Sequence, residues 1–157
     1  MHKTNAMRML DAHKIPYEVI EYAHKKDDPV DGVHVAESLG ESVDAVYKTL
    51  VTQANTKEYF VFLLPVDREL DLKKCAAAAG VKSLEMLPLK DLTKTTGYIR
   101  GGCSPIGMKK KFRTFAQKDI EDLEKVYVSA GKIGMQLHMT PENLIKAADV
   151  GLADLIR

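Results

Sequence analysis

The spacing of apolar residues along the chain predicts five helices. In the first of them, Ala6, Met9 and Leu10 recur at helical intervals and share one face. A polar residue, Thr4 or Asn5, can cap its start. The five predicted helices cover residues 4–13, 33–39, 71–79 and 88–95, and a segment that begins at residues 140–141.

Seven further segments carry the apolar and β-branched residues typical of strands. The clearest is YFVFLLPV at residues 59–66, which is almost continuously apolar and therefore predicts a strand buried on both faces. The others cover residues 17–22, 50–53, 83–87, 113–117, 125–129 and 135–139. Helices and strands in this order favour a single α+β domain, residues 1–157, built around a mixed sheet.

Composition and charge are those of one globular domain without a membrane segment. The chain has 157 residues, of which 45% are hydrophobic. No window approaches the roughly 18–20 apolar residues that a membrane helix needs, so we expect a cytoplasmic protein. The two cysteines, Cys75 and Cys103, lack the spacing of a metal site or a disulfide framework. Because the formal net charge is only +1, a nucleic-acid contact requires a local basic patch.

One stretch, GYIRGGCSPIGMKKK at residues 97–111, combines four glycines, which lack side chains, with a run of positively charged residues. Gly101 and Gly102 permit close backbone approaches, and Gly107 permits a second sharp turn after the stiffening Pro105. Such a loop can aim amide N–H groups at an oxyanion, an ester carbonyl or a phosphate. It can equally be a plain connection between strands. It matches neither a Walker loop nor a dinucleotide fingerprint.

Two side chains are candidates for chemistry. Cys103 can act as a nucleophile if a histidine lowers its pKa, or it can fill a gap as a small apolar residue. Lys48 lies within the apolar sequence VYKTL. There an ammonium can hold a carbonyl or phosphate oxygen, or it can snorkel at the edge of a strand. Each residue on its own leaves both interpretations open.

Four basic residues follow the glycine-rich loop within five positions: Lys109, Lys110, Lys111 and Arg113. A run of this kind is either a solvated face or a contact to the phosphate backbone of a nucleic acid. Its position directly after the loop favours the second interpretation.

Four motifs occur in an order and spacing that resemble a known family. They are VYKTL at 46–50, LDLKK at 70–74, GYIRGGCSPIGMKK at 97–110 and YVSAGKIG at 127–134. Together they resemble the YbaK family of aminoacyl-tRNA deacylases, which includes the editing domain inserted in bacterial prolyl-tRNA synthetases. The resemblance covers nearly the whole chain.

The resemblance implies a barrel-like mixed sheet wrapped by helices, with an open pocket for the acceptor end of an aminoacyl-tRNA. In the family, the lysine that matches Lys48 holds the terminal region of the substrate. The glycines that match Gly101 and Gly102 present backbone groups to the ester. Less specific matches to pocket positions are Tyr22, Thr49, Ser104, Pro105, Gly107 and Ser129. The resemblance also implies substrate-assisted attack and prolyl-tRNA synthetase as a partner. The sequence contains no cluster of potential ligands, so we expect no metal or organic cofactor.

Two pocket positions depart from the family pattern. Gln136 stands where an aspartate is usual, and Asp31 stands where an aromatic residue is frequent. The first change removes a negative charge that can pair with the α-ammonium of the substrate. The second removes an aromatic side chain that forms a wall of the pocket. We expect a trans-editing hydrolase acting on Cys-tRNA(Pro), with Ala-tRNA(Pro) as an alternative substrate. The alternatives from other classes are a non-catalytic aminoacyl- or nucleotide-binding module and a cysteine-dependent hydrolase.

Overall fold

The computed structural model describes residues 2–23 and 31–157. The helices are α1 (Asn5–Ala12), α2 (Gly32–Leu39), α3 (Leu72–Ala79), α4 (Leu89–Thr96) and α5 (Pro141–Ala148), and a 3-10 helix covers Lys118–Asp122. The strands are β1 (Glu18–Glu21), β2 (Tyr47–Ala54), β3 (Tyr59–Pro65), β4 (Leu84–Met86), β5 (Arg113–Gln117), β6 (Val126–Lys132), β7 (Met135–Met139) and β8 (Val150–Ala153).

Side-chain caps begin several helices where the sequence predicts them. The hydroxyl of Thr4 accepts a hydrogen bond from the N–H of Met7, and Thr140 caps α5 through the N–H of Asn143. Asp71 caps α3 in the same way. The five predicted helices therefore agree with α1 to α5. No helix within the described ranges combines the length and apolar character that crossing a membrane requires.

The strands form two hydrogen-bonded sheets. β1, β7 and β6 make an antiparallel sheet in that order, and β4, β2, β3, β5 and β8 make a mixed sheet. β3 runs antiparallel to β2 but parallel to β5. A parallel bridge between Val46 and Tyr127 joins the two sheets. The α+β class is confirmed, and the expected barrel-like mixed sheet is divided into these two sheets.

β3 carries the core on both of its faces, as its continuous apolar sequence predicts. Val61 and Leu63 belong to a cluster that includes residues of α1, α5 and the three-stranded sheet. Phe60, Phe62 and Leu64 belong to a second cluster with residues of α3. All five side chains are at most 1% exposed. Because burying a side chain of this size contributes about 1.5–3 kcal/mol, β3 is a stable anchor for its neighbour β2.

Two strands differ from the prediction. β2 begins at Tyr47 rather than at residue 50, because its first three residues pair with the end of β3. Lys48 therefore lies inside a strand and has a fixed backbone position. β8 was not predicted, since its sequence VGLA is short and becomes a strand only through parallel pairing with β5.

Candidate active site

A cavity of about 410 Å³ is lined by residues of both sheets. Its volume falls within the roughly 300–1,000 Å³ typical of small-molecule sites. Four segments form most of the lining: the start of α2, the first half of β2, the β4–α4 segment and the glycine-rich loop. Ser129 of β6 and Gln136 of β7 complete it, and these two residues face each other in the β6–β7 ladder.

The structure brings part of the predicted site together. The predicted residues in the lining are Lys48, Thr49, Gly101, Ser129 and Gln136, together with Asp31. The predicted residues outside the lining are Tyr22, Gly102, Ser104, Pro105 and Gly107. Tyr22 follows β1, is half-buried, and donates its backbone N–H to the carbonyl of Gly134 at 3.0 Å.

Lys48 is half-buried in the cavity lining, opposite Leu64 in the β2–β3 ladder. Burial lowers the pKa of its ammonium, while the carboxylates of Glu69 and Asp67 act in the opposite direction. A partly desolvated ammonium attracts an oxygen ligand more strongly than a fully hydrated one does. The position therefore suits a contact to a carbonyl or phosphate oxygen.

The start of α2 reaches the cavity because Gly32 packs directly on Val66. A Cβ on Gly32 would lie 2.3 Å from Cγ1 of Val66, so a larger residue would displace the helix. Asp31 caps α2, and its carboxylate accepts a hydrogen bond of 3.0 Å from the N–H of His34. Asp31 thus stabilises the start of α2 in this wall of the cavity, a role that the sequence analysis did not predict.

Two buried side-chain oxygens in the lining have no hydrogen-bond partner among the described residues: Oγ1 of Thr49 and Oε1 of Gln136. Gln136 is only 5% exposed. Leaving a buried polar atom without a partner costs about 1–3 kcal/mol, so such atoms are rare and call for an explanation. Their presence in one cavity is the arrangement expected where a ligand supplies the missing hydrogen bonds.

Gly101 and Gly102 differ in their roles in the loop. Gly101 has a φ of +81°, which favours glycine, and it lines the cavity. The N–H of Gly102 donates to the carbonyl of Ile99 at 3.0 Å, and a Cβ there would lie 3.1 Å from Cα of Lys132. Among the hydrogen bonds of the described residues, none uses the N–H of Gly101 or Cys103. The loop residues Arg100, Gly101 and Cys103 line the cavity with backbone N–H groups that have no partner among the described residues, whereas Gly102 permits close packing.

The second half of the loop is a buried support. Oγ of Ser104, which is fully buried, accepts a hydrogen bond from the N–H of Ile106, and the hydroxyl of Tyr98 donates to the carbonyl of Ile106 at 2.7 Å. Gly107 has a φ of +76° and packs against the start of α1, where a Cβ would lie 2.8 Å from backbone atoms. The loop is thus fixed against α1 by buried or closely packed residues, namely Ser104, Pro105 and Gly107.

Cys103 lines the cavity as a protonated thiol. Burial raises its pKa to about 11, although a hydrogen bond with Thr96 acts in the opposite direction. At neutral pH only about one molecule in 10⁴ then carries the thiolate. The lining residues include no histidine. These findings favour the packing interpretation of Cys103 over the nucleophile.

The three lysines of the basic run are exposed and lie outside the cavity lining. Nζ of Lys111 is 3.2 Å from the carboxylate of Asp149, and Nζ of Lys109 is 3.3 Å from the carbonyl oxygen of Lys94. Ion pairs this exposed contribute little to stability, so Lys111 is available to other anions. Lys110 lies between them and is exposed as well.

Arg113 differs from these lysines because it packs on the five-stranded sheet. Its guanidinium lies 5.3 Å from the ring centroid of Phe115 and 5.7 Å from that of Phe60. It also donates a hydrogen bond of 3.2 Å to the carbonyl of Ala79. Such cation–π contacts contribute about 0.5–1 kcal/mol at exposed sites, which gives Arg113 a structural role.

Sequence reasoning missed two parts of the lining. Arg100 lies directly before the two glycines of the loop motif, and that position was the signal that would have identified it. Met86, Leu87, Leu89 and Leu92 form an apolar wall where β4 ends and α4 begins. No local pattern in the sequence marks this wall, because strand and helix residues contribute to it together. Among residues 2–23 and 31–157, no group of three or more potential metal-binding side chains occurs.

The fold and the cavity define a class: small α+β domains with a ligand-sized pocket between a lysine-bearing strand and a glycine-rich loop. The model of one protein family, the aminoacyl-tRNA editing domain, matches residues 30–147. The chain belongs to this family. The resemblance inferred from the four motifs is thereby confirmed.

Individual relatives agree with this assignment. The chain is 48% identical to an Enterococcus faecalis protein named "Putative Cys-tRNA(Pro)/Cys-tRNA(Cys) deacylase EbsC", over 98% of this chain and 93% of that one. A solved structure described as "a putative trans-editing enzyme for prolyl tRNA synthetase" matches with a TM-score of 0.84 at 21% identity, over 100% of this chain and 99% of that one. The structure of "hypothetical protein APE2540" matches with a TM-score of 0.88 at 20% identity, over 98% and 100%. At these identities the two structures establish a shared fold.

Proposed function

We propose that the chain hydrolyses the ester bond of a mischarged aminoacyl-tRNA, with Cys-tRNA(Pro) as the preferred substrate. Membership of the editing-domain family and the name of the 48% identical relative support this proposal. The observation that carries it is the cavity shared by Lys48, Gly101 and the unpartnered oxygens of Thr49 and Gln136. An aminoacyl ester offers matching groups, namely an ammonium, a carbonyl and a ribose that bears a phosphate.

The two unpartnered oxygens suit the α-ammonium of the substrate. An ammonium has three N–H donors and no acceptor, whereas Oγ1 of Thr49 and Oε1 of Gln136 both accept hydrogen bonds. Because Gln136 is neutral, it binds the ammonium through a dipole rather than an ion pair. This replacement of the usual aspartate lowers affinity for the ammonium without removing the contact.

Backbone N–H donors and the Lys48 ammonium can stabilise the negative charge that develops on the oxygen of the ester carbonyl. The N–H groups of Gly101 and Cys103 are free for such a contact, and the Lys48 ammonium lines the same cavity. A well-placed donor stabilises an oxyanion transition state by about 3 kcal/mol. An aminoacyl ester is already activated, so two or three such contacts suffice for rapid hydrolysis.

The attacking group comes from the substrate or from water, since Cys103 is a protonated thiol. With a cysteinyl ester, the substrate thiol attacks its own ester carbonyl. A carbon–sulfur bond forms, the ester carbon–oxygen bond breaks, and the thiol proton ends on the departing ribose oxygen. Water then adds to the carbonyl of the resulting four-membered cyclic thioester and breaks its carbon–sulfur bond, which releases cysteine and completes the hydrolysis. With an alanyl ester, a water molecule takes the place of the thiol.

The exposed lysines Lys109, Lys110 and Lys111 are proposed to contact the acceptor stem. Their exposure supports this role. Arg113 packs on Phe115, so it is proposed to contribute less than the lysines to the contact with the acceptor stem. The net charge of +1 implies weak affinity for free tRNA, so prolyl-tRNA synthetase is proposed as the partner that supplies tRNA identity. Reversing the charge of Lys110 and Lys111 tests the contact: unchanged activity on tRNA would remove it.

The decisive experiment measures deacylation of Cys-tRNA(Pro) and Ala-tRNA(Pro) by the wild type and by Lys48→Met. We expect rapid hydrolysis that falls by about 100-fold or more in Lys48→Met, the effect typical of losing one oxyanion contact. Lys118→Met is the matched control, because Lys118 is an exposed lysine outside the cavity lining.

Equal background rates for the wild type and Lys48→Met on both esters would contradict the proposal. They would favour the alternative of a binding module, which the neutral Gln136 supports. Equilibrium binding of a non-hydrolysable 3′-aminoacylamino-tRNA then separates a binding module, which retains this analogue, from a chain that acts on a different aminoacyl group and does not retain it. The preferred ester identifies the amino acid that the Gln136 pocket accepts.

A further inference from the structure

Tyr98 is a buried residue of the glycine-rich loop that lies outside the cavity lining. It is only 6% exposed. Its hydroxyl donates a hydrogen bond of 2.7 Å to the carbonyl of Ile106, and its N–H donates to Oγ1 of Thr96 at 3.1 Å. Burial raises the pKa of Tyr98 to about 12, so the hydroxyl remains a proton donor at neutral pH. The function proposed above gives this residue no contact with the substrate.

The hydroxyl of Tyr98 connects the two ends of the loop. The N–H of Lys109 donates to the carbonyl of Thr96 at 3.0 Å, so the loop between these residues is closed at its base. Tyr98 lies near the first end of the loop and Ile106 near the second, and the hydrogen bond between them is a second connection across it. Residues 100–103, which include the cavity-facing part of the loop, lie between these two points.

The ring of Tyr98 packs on the segment of β6 that carries the opposite wall of the cavity. A Cβ on Gly131 would lie 2.8 Å from Cε1 of Tyr98, so the ring rests directly on the backbone there. The N–H of Gly131 donates to Oγ of Ser129 at 3.1 Å, and Ser129 lines the cavity. The loop contacts the same segment a second time, because Gly102 packs on Cα of Lys132. The ring therefore sets the distance between the loop and Ser129.

We propose that Tyr98 is a positioning residue for deacylation, an inference that rests on the function proposed above. Its hydroxyl keeps the loop closed, and its ring keeps the loop at a fixed distance from Ser129. The N–H groups of Gly101 and Cys103 thereby keep the orientation in which they meet the developing oxyanion. A displacement of about 1 Å can cost about 100-fold in rate, so a buried group that never touches the substrate can control the reaction.

Two tyrosine-to-phenylalanine variants separate positioning from stability. Tyr98→Phe removes the hydroxyl and keeps the ring. Tyr127→Phe is the matched control, because Tyr127 is 7% exposed, lies outside the cavity lining, and donates its hydroxyl to Oε1 of Glu41 at 2.9 Å. Each variant loses one hydrogen bond of a buried tyrosine, so both should lower Tm by about 2–4 °C. Thermal unfolding thus shows that the two variants are folded and equally destabilised.

Steady-state deacylation of Cys-tRNA(Pro), measured well below Tm, tests the effect on the reaction. In Tyr98→Phe, kcat should fall about tenfold while KM stays within about twofold, because the N–H groups of the loop act on the transition state. In Tyr127→Phe, kcat and KM should both stay within about twofold of the wild-type values. A wild-type kcat in Tyr98→Phe, or an equal fall of kcat in the two variants, overturns the proposal.

Amide hydrogen exchange tests the closure of the loop without any substrate. The N–H of Gly102, which donates to the carbonyl of Ile99, should exchange about tenfold faster in Tyr98→Phe and close to the wild-type rate in Tyr127→Phe. If the wild type deacylates no aminoacyl-tRNA but Gly102 responds in this way, the proposed function is wrong and the closure of the loop by Tyr98 stands. If the wild type is active and neither kcat nor the exchange of Gly102 responds to Tyr98→Phe, the function stands and the role of Tyr98 is wrong.

Discussion

Replacing Gly107 by alanine tests whether the glycine-rich loop depends on its contact with α1. Gly107 has a φ of +76°, and a Cβ would lie 2.8 Å from the backbone nitrogen of Ala6 and 2.9 Å from the hydroxyl oxygen of Tyr98. The left-handed conformation costs an alanine about 1 kcal/mol. Overlap with a helix backbone that cannot move aside adds about 1–3 kcal/mol.

Gly40→Ala is the matched control for this substitution. Gly40 has a nearly identical φ of +69°, but no atom lies within 4 Å of the position of its Cβ. Both substitutions also restrict the unfolded chain equally, so that contribution cancels in the comparison. The difference between the two variants therefore measures the steric overlap alone.

Thermal unfolding and urea denaturation provide the measurement. We expect Gly40→Ala to lose about 1 kcal/mol and Gly107→Ala about 3 kcal/mol of the free energy of unfolding. For a chain of this size these losses correspond to about 2–4 °C and 6–12 °C in Tm. Equal losses in the two variants would refute the inference that the loop is docked against α1 by close backbone contact.

Three further predictions concern side chains of the cavity. Cys103→Ala should keep deacylation within about twofold of the wild-type rate, because the thiol is protonated and packs as a small apolar side chain. A complete loss of activity in a folded variant would instead support the hypothesis that Cys103 is the nucleophile. Lys48→Met should increase the free energy of unfolding at pH 7, because burial lowers the pKa of Lys48, against the opposing effect of Glu69 and Asp67, and thus disfavours its charged form in the folded state. The gain should shrink as pH rises through the pKa of the folded and then the unfolded lysine, and urea titrations at pH 7 and pH 10 that show an equal gain would contradict this cause. Gln136→Met should also gain about 1 kcal/mol, since it removes the unpartnered Oε1, while kcat/KM falls; a variant that loses both stability and activity would indicate that Oε1 has a partner in the protein.

Local sequence was sufficient to predict the five helices and the central strand β3. The caps at Thr4, Asp71 and Thr140 act on N–H groups two or three residues away, so their pattern is complete within one short window. β3 is apolar throughout because both of its faces are buried, and that signal is also local. The motifs further sufficed to place the chain in the aminoacyl-tRNA editing domain family, which its family match confirms.

Only the tertiary structure decided which residues share the cavity. Thr49 and Gln136 belong to different sheets, and nothing in either segment shows that their oxygens lack partners. The loop motif likewise did not show that the N–H of Gly102 is used within the loop while those of Gly101 and Cys103 remain free.

Sequence by itself thus determined the five helices, seven of the eight strands, the residue types of the loop and the family. The fold determined that Met86, Leu89, Arg100 and Lys48 meet at one pocket. The physical reason is the range of the interactions: capping and hydrophobic periodicity act over a few residues, whereas sheet pairing and burial join segments that are distant along the chain.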